Sequence, residues 1–333
     1  MRRLAIGLYS GGLDSILAAK LIFDQGIDTI LIRFTNPVFE DRRSEMKTLH
    51  HILPPEHCRV EEIEMERDFF LMLQSPKYGY GKHANPCLDC KILMVRKAGQ
   101  ILKEHGGAFV FTGEVVGQRP MSQRRDALRI IERESGLERY LLRPLSARLL
   151  PPTIAEETGM INREILLDIS GRSRKRQMEL AERYGLSLYP NPAGGCLLTD
   201  AGFSRRFRMA LEEKKTTLSK EDLQLLKVGR HFLIRPGVKL VVGRNHLENQ
   251  KVMALANKND WICKVIDAPG PVSLAQGNLA PHDFQCAASI TARYSDAREH
   301  EKVSVGFELK GNSHQHVLTV SPIRDDVLEQ YKI

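Results

Sequence analysis

Apolar residues occupy short blocks along the first half of the chain, at 4–9, 29–34, 59–63, 108–112 and 140–142. Each block is too brief for a helix, and several are apolar at successive positions, as in strands covered on both faces. Between the blocks the spacing changes. Ile92, Val95, Ala98, Ile101 and Leu102 recur at helical intervals within residues 90–103, and another helical run occupies 16–23. Strands alternating with helices predict an α/β domain built on a parallel sheet, with its ligand site outside the carboxyl ends of the strands.

From 151 to 185 the pattern reads as helical throughout, with Gly171 and the basic run Arg172-Ser173-Arg174-Lys175-Arg176 inside it. Residues 190–195 (Pro-Asn-Pro-Ala-Gly-Gly) break the periodicity and predict a functional loop or a linker, followed by a polar helical stretch at 204–226. Strand signals return at 231–234, 238–242, 261–266, 303–308 and 316–320, and helical ones at 247–256 and 284–294. These predict a second, smaller α+β domain. The expected division is 1–186 for the first domain with a helical extension, 187–226 for a loop and linker, and 227–333 for the second domain.

The 333 residues are enough for two such cores. No apolar run approaches the roughly 20 residues of a membrane span. The basic and apolar start runs into a glycine loop instead of a cleavage site, so a cytoplasmic location without a membrane partner is expected. A formal net charge of +8 favours a polyanionic partner. Arginines crowd at Arg119, Arg124, Arg125, Arg129 and Arg133, and again at Arg205, Arg206 and Arg208. Glu132, Glu134 and Glu138 interleave with part of the first group, as on a solvated helix face; the basic run after Gly171 and the 205–208 group fit phosphate contacts better.

Of six cysteines, Cys58, Cys263 and Cys286 lie within strand or helix patterns and read as small buried hydrophobes. Cys87 and Cys90 form a CxxC after Asn85-Pro86, at the start of a helical pattern, where a helix N-terminus favours thiolate. A CxxC alone fits a redox pair, a zinc site or an iron–sulfur ligand set. A four-cysteine zinc knuckle would need a second pair nearby, and the sequence has none. Cys196, after Gly194-Gly195, is the best third member. Three thiols suit a 4Fe–4S cluster with one iron left for an exogenous ligand, while persulfide or disulfide chemistry, zinc and plain structural thiols stay open.

Ser10-Gly11-Gly12-Leu13-Asp14-Ser15 stands between the first strand and the first helix. Two glycines let the backbone N–H groups converge on an anion, the helix end adds its dipole, Ser10 and Ser15 add hydroxyls, and Asp14 can hold Mg²⁺. The hexapeptide resembles the PP-loop of the ATP pyrophosphatases, which split ATP into AMP and pyrophosphate while activating a substrate oxygen. Asn85-Pro86-Cys87-Leu88-Asp89-Cys90-Lys91 and Phe111-Thr112-Gly113 resemble signatures of the tRNA 2-thiouridylases, with Glu114 where those enzymes carry His. That resemblance, over roughly residues 1–200, implies an ATP-dependent tRNA sulfurtransferase. Cys90 and Cys196 match its catalytic cysteines, and Cys87 the position that is Cys in members thought to carry a cluster. It places the triphosphate on residues 10–15 and the adenine against Ile32, Arg33 and Phe34, with Gly113 at the nucleotide site. Sulfur would come from sulfide or a sulfur carrier. Lys239 to Asn245, Asn249, Asp260-Trp261, Asp267-Ala268-Pro269-Gly270 and the stretch from Ala287 to Arg298 resemble the NFACT RNA-binding domain. Two other readings stay open: a PP-loop enzyme adenylating a small molecule, and an RNA-binding adaptor with a vestigial nucleotide site.

Overall fold

A computed structural model describes residues 3–36, 38–39, 49, 52–65, 67–186, 189, 196–213, 218–312 and 315–333. The predicted loop at 190–195 lies outside the described residues. The chain divides into two compact units, Met1–Thr199 and Asp200–Ile333. Cys196 therefore belongs to the first unit, and the helices Ala201–Glu213 and Lys220–Leu226 to the second.

In the first unit, strands β1 (Leu4–Leu8), β2 (Asp28–Thr35), β3 (Cys58–Glu64), β4 (Phe109–Thr112) and β5 (Leu141–Leu142) form one sheet in the order β3-β2-β1-β4-β5. Every pair in it is parallel. Central β1 is buried along its whole length, which is why its sequence is a continuous apolar run without alternation. The chain moves outward from β1 to β3 and then returns to place β4 on the other side of β1. The order reverses there, and a crevice opens at the carboxyl ends of β1 and β4. The helix Leu13–Phe23 buries Leu13, Ile16, Leu17 and Ile22 against the sheet core.

The stretch from 151 to 185 is not helical throughout. It holds a short helix Ile154–Glu157, a 3₁₀ turn Arg163–Ile165 and a helix Lys175–Arg183, with an extended segment between the last two. Gly159 (φ +70°) ends the turn after the first helix, Gly171 (φ +82°) bends the extended segment, and the Ile169 and Gly171 amides donate to Leu145 and Val116 carbonyls. Leu166 and Ile169 are buried in the core as anchors of this extended run, so their apolar spacing imitates a helix.

The second unit carries β6 (Arg230–Arg235), β7 (Val238–Val242), β8 (Trp261–Val265), β9 (Val272–Gln276), β10 (Val303–Leu309) and β11 (Gln315–Val320). They form an antiparallel sheet ordered β11-β10-β8-β9-β7-β6. The strand pattern missed β9. Ala275 packs in the cluster shared with helix Pro281–Arg293, and Val272 and Leu274 in the cluster shared with helix His246–Ala254, so both faces are covered and the alternation that marks a half-exposed strand disappears. Cys58 and Cys263 are buried within their strands, as expected of small hydrophobes, whereas Cys286 is only half-buried. No helix among the described residues is long and apolar enough to cross a membrane.

Candidate active site

The Tyr9 amide donates to the Ile32 carbonyl at 2.9 Å, which keeps β1 and β2 joined up to the start of the glycine loop. Gly11 then turns with φ of +75°, left-handed backbone that a side chain would strain. Gly12 caps the helix Leu13–Phe23 without any side-chain cap, and while the Ser15 amide donates to the Gly12 carbonyl at 3.0 Å, the Leu13 and Asp14 N–H groups remain available to an anion. The loop is closed by its serines. Ser15 Oγ donates to the Gly12 carbonyl at 2.7 Å, and the Gly12 amide donates to Ser10 Oγ at 3.3 Å. Gly113, directly after β4, meets this loop closely: a Cβ there would lie 2.5 Å from the carbonyl carbon and oxygen of Asp14 and 2.6 Å from the Ser15 nitrogen. Position 113 is therefore glycine because backbone packs on backbone.

Gln118 Nε2 donates to Asp14 Oδ2 at 2.8 Å. The other carboxylate oxygen, Oδ1, is buried and has no hydrogen-bond partner among the described residues. An orphaned carboxylate oxygen at the mouth of an anion-binding loop fits a hard divalent cation such as Mg²⁺.

A cavity of about 310 Å³ occupies the crevice. Ser10, Asp14 and Ser15 line one side of it, and Arg33 and Phe34 reach it from β2. Cys87, Cys90 and Cys196 line it too, beside Gly113 and Glu114. The fold thus gathers into one space residues drawn from five separated stretches of sequence. Gly11 and Gly12 shape the loop behind it. Cys87 and Cys90 lie in the first turn of helix Cys87–Glu104, and Asn85 Nδ2 donates to Cys87 Sγ at 3.1 Å. Cys196 is pinned by a short antiparallel bridge to Phe39, with the Leu197 amide donating to the Val38 carbonyl at 3.0 Å.

The expected depression of thiol pKa by the helix end does not hold at Cys90. Burial, reinforced by the neighbouring Cys196 and opposed by Lys91, pushes its thiol up to about 12. Burial likewise pushes the Cys196 thiol up to about 11, against hydrogen bonds from the Leu198 and Thr199 backbone and the charge of Arg119. Desolvation outweighs the helix dipole here because the thiols sit against the crowded wall of the cavity. Cys196 and Cys87 both oppose the ionisation of Cys90, and Cys87 opposes that of Cys196. No three His, Cys, Asp or Glu side chains among the described residues are grouped to hold a single metal ion. A cuboidal cluster makes a different demand, since each thiolate binds a different iron, and three thiols around one cavity suit that donor set.

One charged network escaped the sequence reading. Arg143, almost wholly buried, donates from Nε to Glu114 Oε2 at 3.2 Å and pairs with Glu132. Glu114 also accepts from Thr112 Oγ1 at 3.0 Å, and Lys91 Nζ stands 4.0 Å from its other oxygen. The carboxylate following Gly113 was legible only as a departure from a motif; its arginine is 29 residues further on. Of the arginine clusters, Arg119 lines the cavity, while Arg124 pairs with Asp126 and Arg176 with Asp168.

Residues 2–148 match the family described as thiamine biosynthesis protein (ThiI), and residues 229–332 the family described as NFACT protein RNA binding domain. A probable tRNA sulfurtransferase of Thermococcus kodakarensis is 31% identical over 145 residues, which are 42% of this chain and 36% of that protein. The chain thus spans about a third of this relative's length. A 4-thiouridine synthetase–RNA complex with bound ATP is 24% identical, with 54% of this chain and 50% of that one covered at a TM-score of 0.35. The C-terminal part of a fibronectin/fibrinogen-binding protein from Streptococcus suis is 15% identical, with 74% and 90% covered at a TM-score of 0.29. At such TM-scores neither superposition bears on the fold, which rests on the strand order above. Residues 2–148 are thus similar to the ThiI family, and residues 229–332 to the NFACT RNA-binding domain.

Proposed function

We propose that this protein is an ATP-dependent tRNA sulfurtransferase, activating a base carbonyl oxygen of tRNA and exchanging it for sulfur. The observation that carries this reading is the shared cavity: the anion-binding loop at Ser10 to Ser15 and the three thiols Cys87, Cys90 and Cys196 face the same 310 Å³ space. A phosphate-binding loop alone would leave the acceptor open. Thiols beside it favour an acceptor waiting for sulfur.

In this reading the triphosphate rests on the loop and the adenine lies near Arg33 and Phe34. The base oxygen attacks the α-phosphorus of ATP, the bond to the bridging oxygen breaks, and pyrophosphate departs; Asp14 would hold an Mg²⁺ ion, which would offset the phosphate charge. The loop N–H groups, Ser10 and Ser15 neutralise the charge that develops, and fixed geometry contributes most of the acceleration. A sulfide-equivalent nucleophile then adds to the activated carbon, the carbon–oxygen bond breaks, and AMP leaves carrying the original base oxygen. Cys87, Cys90 and Cys196 would hold a 4Fe–4S cluster, which when bound supplies an iron able to bind sulfide. Protonated thiols such as Cys90 and Cys196 make poor free nucleophiles at neutral pH, and metal binding is the ordinary way such thiols lose their protons. The NFACT-type domain supplies a second contact to the RNA.

The test is AMP formation by the full chain with and without unmodified tRNA, followed by mass spectrometry of the tRNA nucleosides. tRNA-dependent AMP release and a thiolated nucleoside are expected. AMP release indifferent to tRNA would favour a small-molecule acceptor, and ATP binding without AMP release an adaptor. Anaerobically purified protein without iron, together with full activity of Cys87→Ala, would remove the cluster.

A further inference from the structure

The C-terminal unit contains an open cavity of about 700 Å³, within the roughly 300–1,000 Å³ range of ligand clefts. It is walled by the start of β6, the turn after β7, the Pro269–Pro271 corner and the end of helix Pro281–Arg293. Its lining holds four arginines, Arg230, Arg244, Arg293 and Arg298, against one carboxylate, Asp296. Three of those arginines are engaged: Arg244 with Glu248, Arg293 with Asp325, and Arg298 with Glu299. Arg230 has no carboxylate partner among the described residues. Its guanidinium lies 4.6 Å from the centre of the Tyr294 ring, and Tyr294 is backed in turn by the buried Phe232 at 5.9 Å.

The surroundings are cationic as well. Arg206, half-buried over the Phe203 ring, is pushed down by burial and by the charges of Arg244 and Arg205. His231, next to Arg230, is pushed down to about 3 by burial and then by Arg206, Lys239 and Arg244.

We propose that this cavity binds one unpaired nucleotide of RNA, with the base stacked on the Arg230 guanidinium and the phosphate drawn in by the surrounding arginines. A guanidinium seated over an aromatic ring at 4.6 Å is already partly ordered, so less rotamer freedom is lost when a base covers its outer side. A concave site suits a splayed-out base better than a duplex, whose backbone would meet only the rim. The inference rests on the reading that the NFACT-type domain binds RNA, and adds where and how.

The experiment uses the full chain, a fluorescein-labelled 12-nucleotide unstructured RNA, and the same RNA as a duplex. Fluorescence anisotropy should show salt-dependent binding that prefers the single strand. Arg230→Ala should weaken it about tenfold, and Arg230→Lys nearly as much, because lysine keeps the charge and loses the plane. Lys258→Ala, an exposed residue before the start of β8 and outside the cavity lining, should bind like the parent, and ultraviolet cross-linking should label the peptide that contains Tyr294. Affinity restored by Arg230→Lys, or cross-links confined to residues 1–199, would overturn the site while leaving RNA binding intact. No RNA binding by the parent protein would overturn both readings.

Discussion

Replacing Gly113 by alanine tests the architecture of the cleft through a single methyl group. The added Cβ would stand 2.5 Å from the Asp14 carbonyl and 2.6 Å from the Ser15 nitrogen, and both neighbours are backbone that cannot rotate away. Non-bonded carbon contacts settle near 3.5–4.0 Å, so the end of β4 and the loop must separate by about 1 Å. Overpacking of this kind costs about 1–3 kcal/mol, or a loss of roughly 2–12 °C in Tm for a unit of this size. The catalytic cost is larger, because a displacement of about 1 Å at a reacting centre removes about 100-fold in rate. Gly113→Ala should therefore fold, melt a few degrees lower, and release AMP from ATP at about 1% of the parent rate. Gly12→Ala is the control. A Cβ at position 12 meets only Ser10 Oγ at 3.4 Å, and the residue has φ of −80°, so folding should be untouched. Its methyl would instead enter the space reserved for a phosphate and raise the KM for ATP. Activity of Gly113→Ala within threefold of the parent would refute the claim that this close approach sets the geometry of the loop.

Three more outcomes follow from the same site. Asp14→Asn keeps the size of the side chain and its bond with Gln118 but removes the charge that faces the cleft, so AMP formation should fall by at least 100-fold with little change in melting; an Mg²⁺ titration that still saturates at the parent concentration would contradict it. Alkylation of Cys90 and Cys196 by iodoacetamide should stay slow at pH 8 and accelerate only above about pH 10, since thiols raised to about 12 and about 11 are almost wholly protonated below that; site-resolved mass spectrometry reads each rate. The sign for stability agrees. Folding raises both proton affinities, so their contribution is fully present below the unfolded value near 9 and is lost as the pH climbs through 11 and 12. Arg143→Met should destabilise the first unit by about 3–5 kcal/mol in urea unfolding, because it leaves Glu114 buried without its guanidinium, and adding Glu114→Gln should recover part of that loss.

What could be read from the chain was whatever local order dictates. The glycine loop between a strand and a helix is contiguous, and its chemistry follows from six adjacent residues. The convergence of Cys87, Cys90 and Cys196 depends on tertiary geometry, and composition and spacing could only nominate those residues. The misreadings come from burial that local spacing does not report. Strand β9 lost its alternation between two helices, and Leu166 and Ile169 looked helical because an extended run buries apolar residues at uneven intervals. The thiols show the same competition in electrostatic form. A helix N-terminus is visible in the sequence and argues for thiolate; the desolvation that overrules it at Cys90 comes from residues as distant as Cys196. The chemistry changes accordingly. Under the proposed function, a cation binding Cys90 and Cys196 displaces their protons, so loading the site should release protons. Iron-loaded protein whose transfer rate tracked the titration of free thiols above pH 10 would separate ligation from catalysis and return the cysteines to a nucleophilic role.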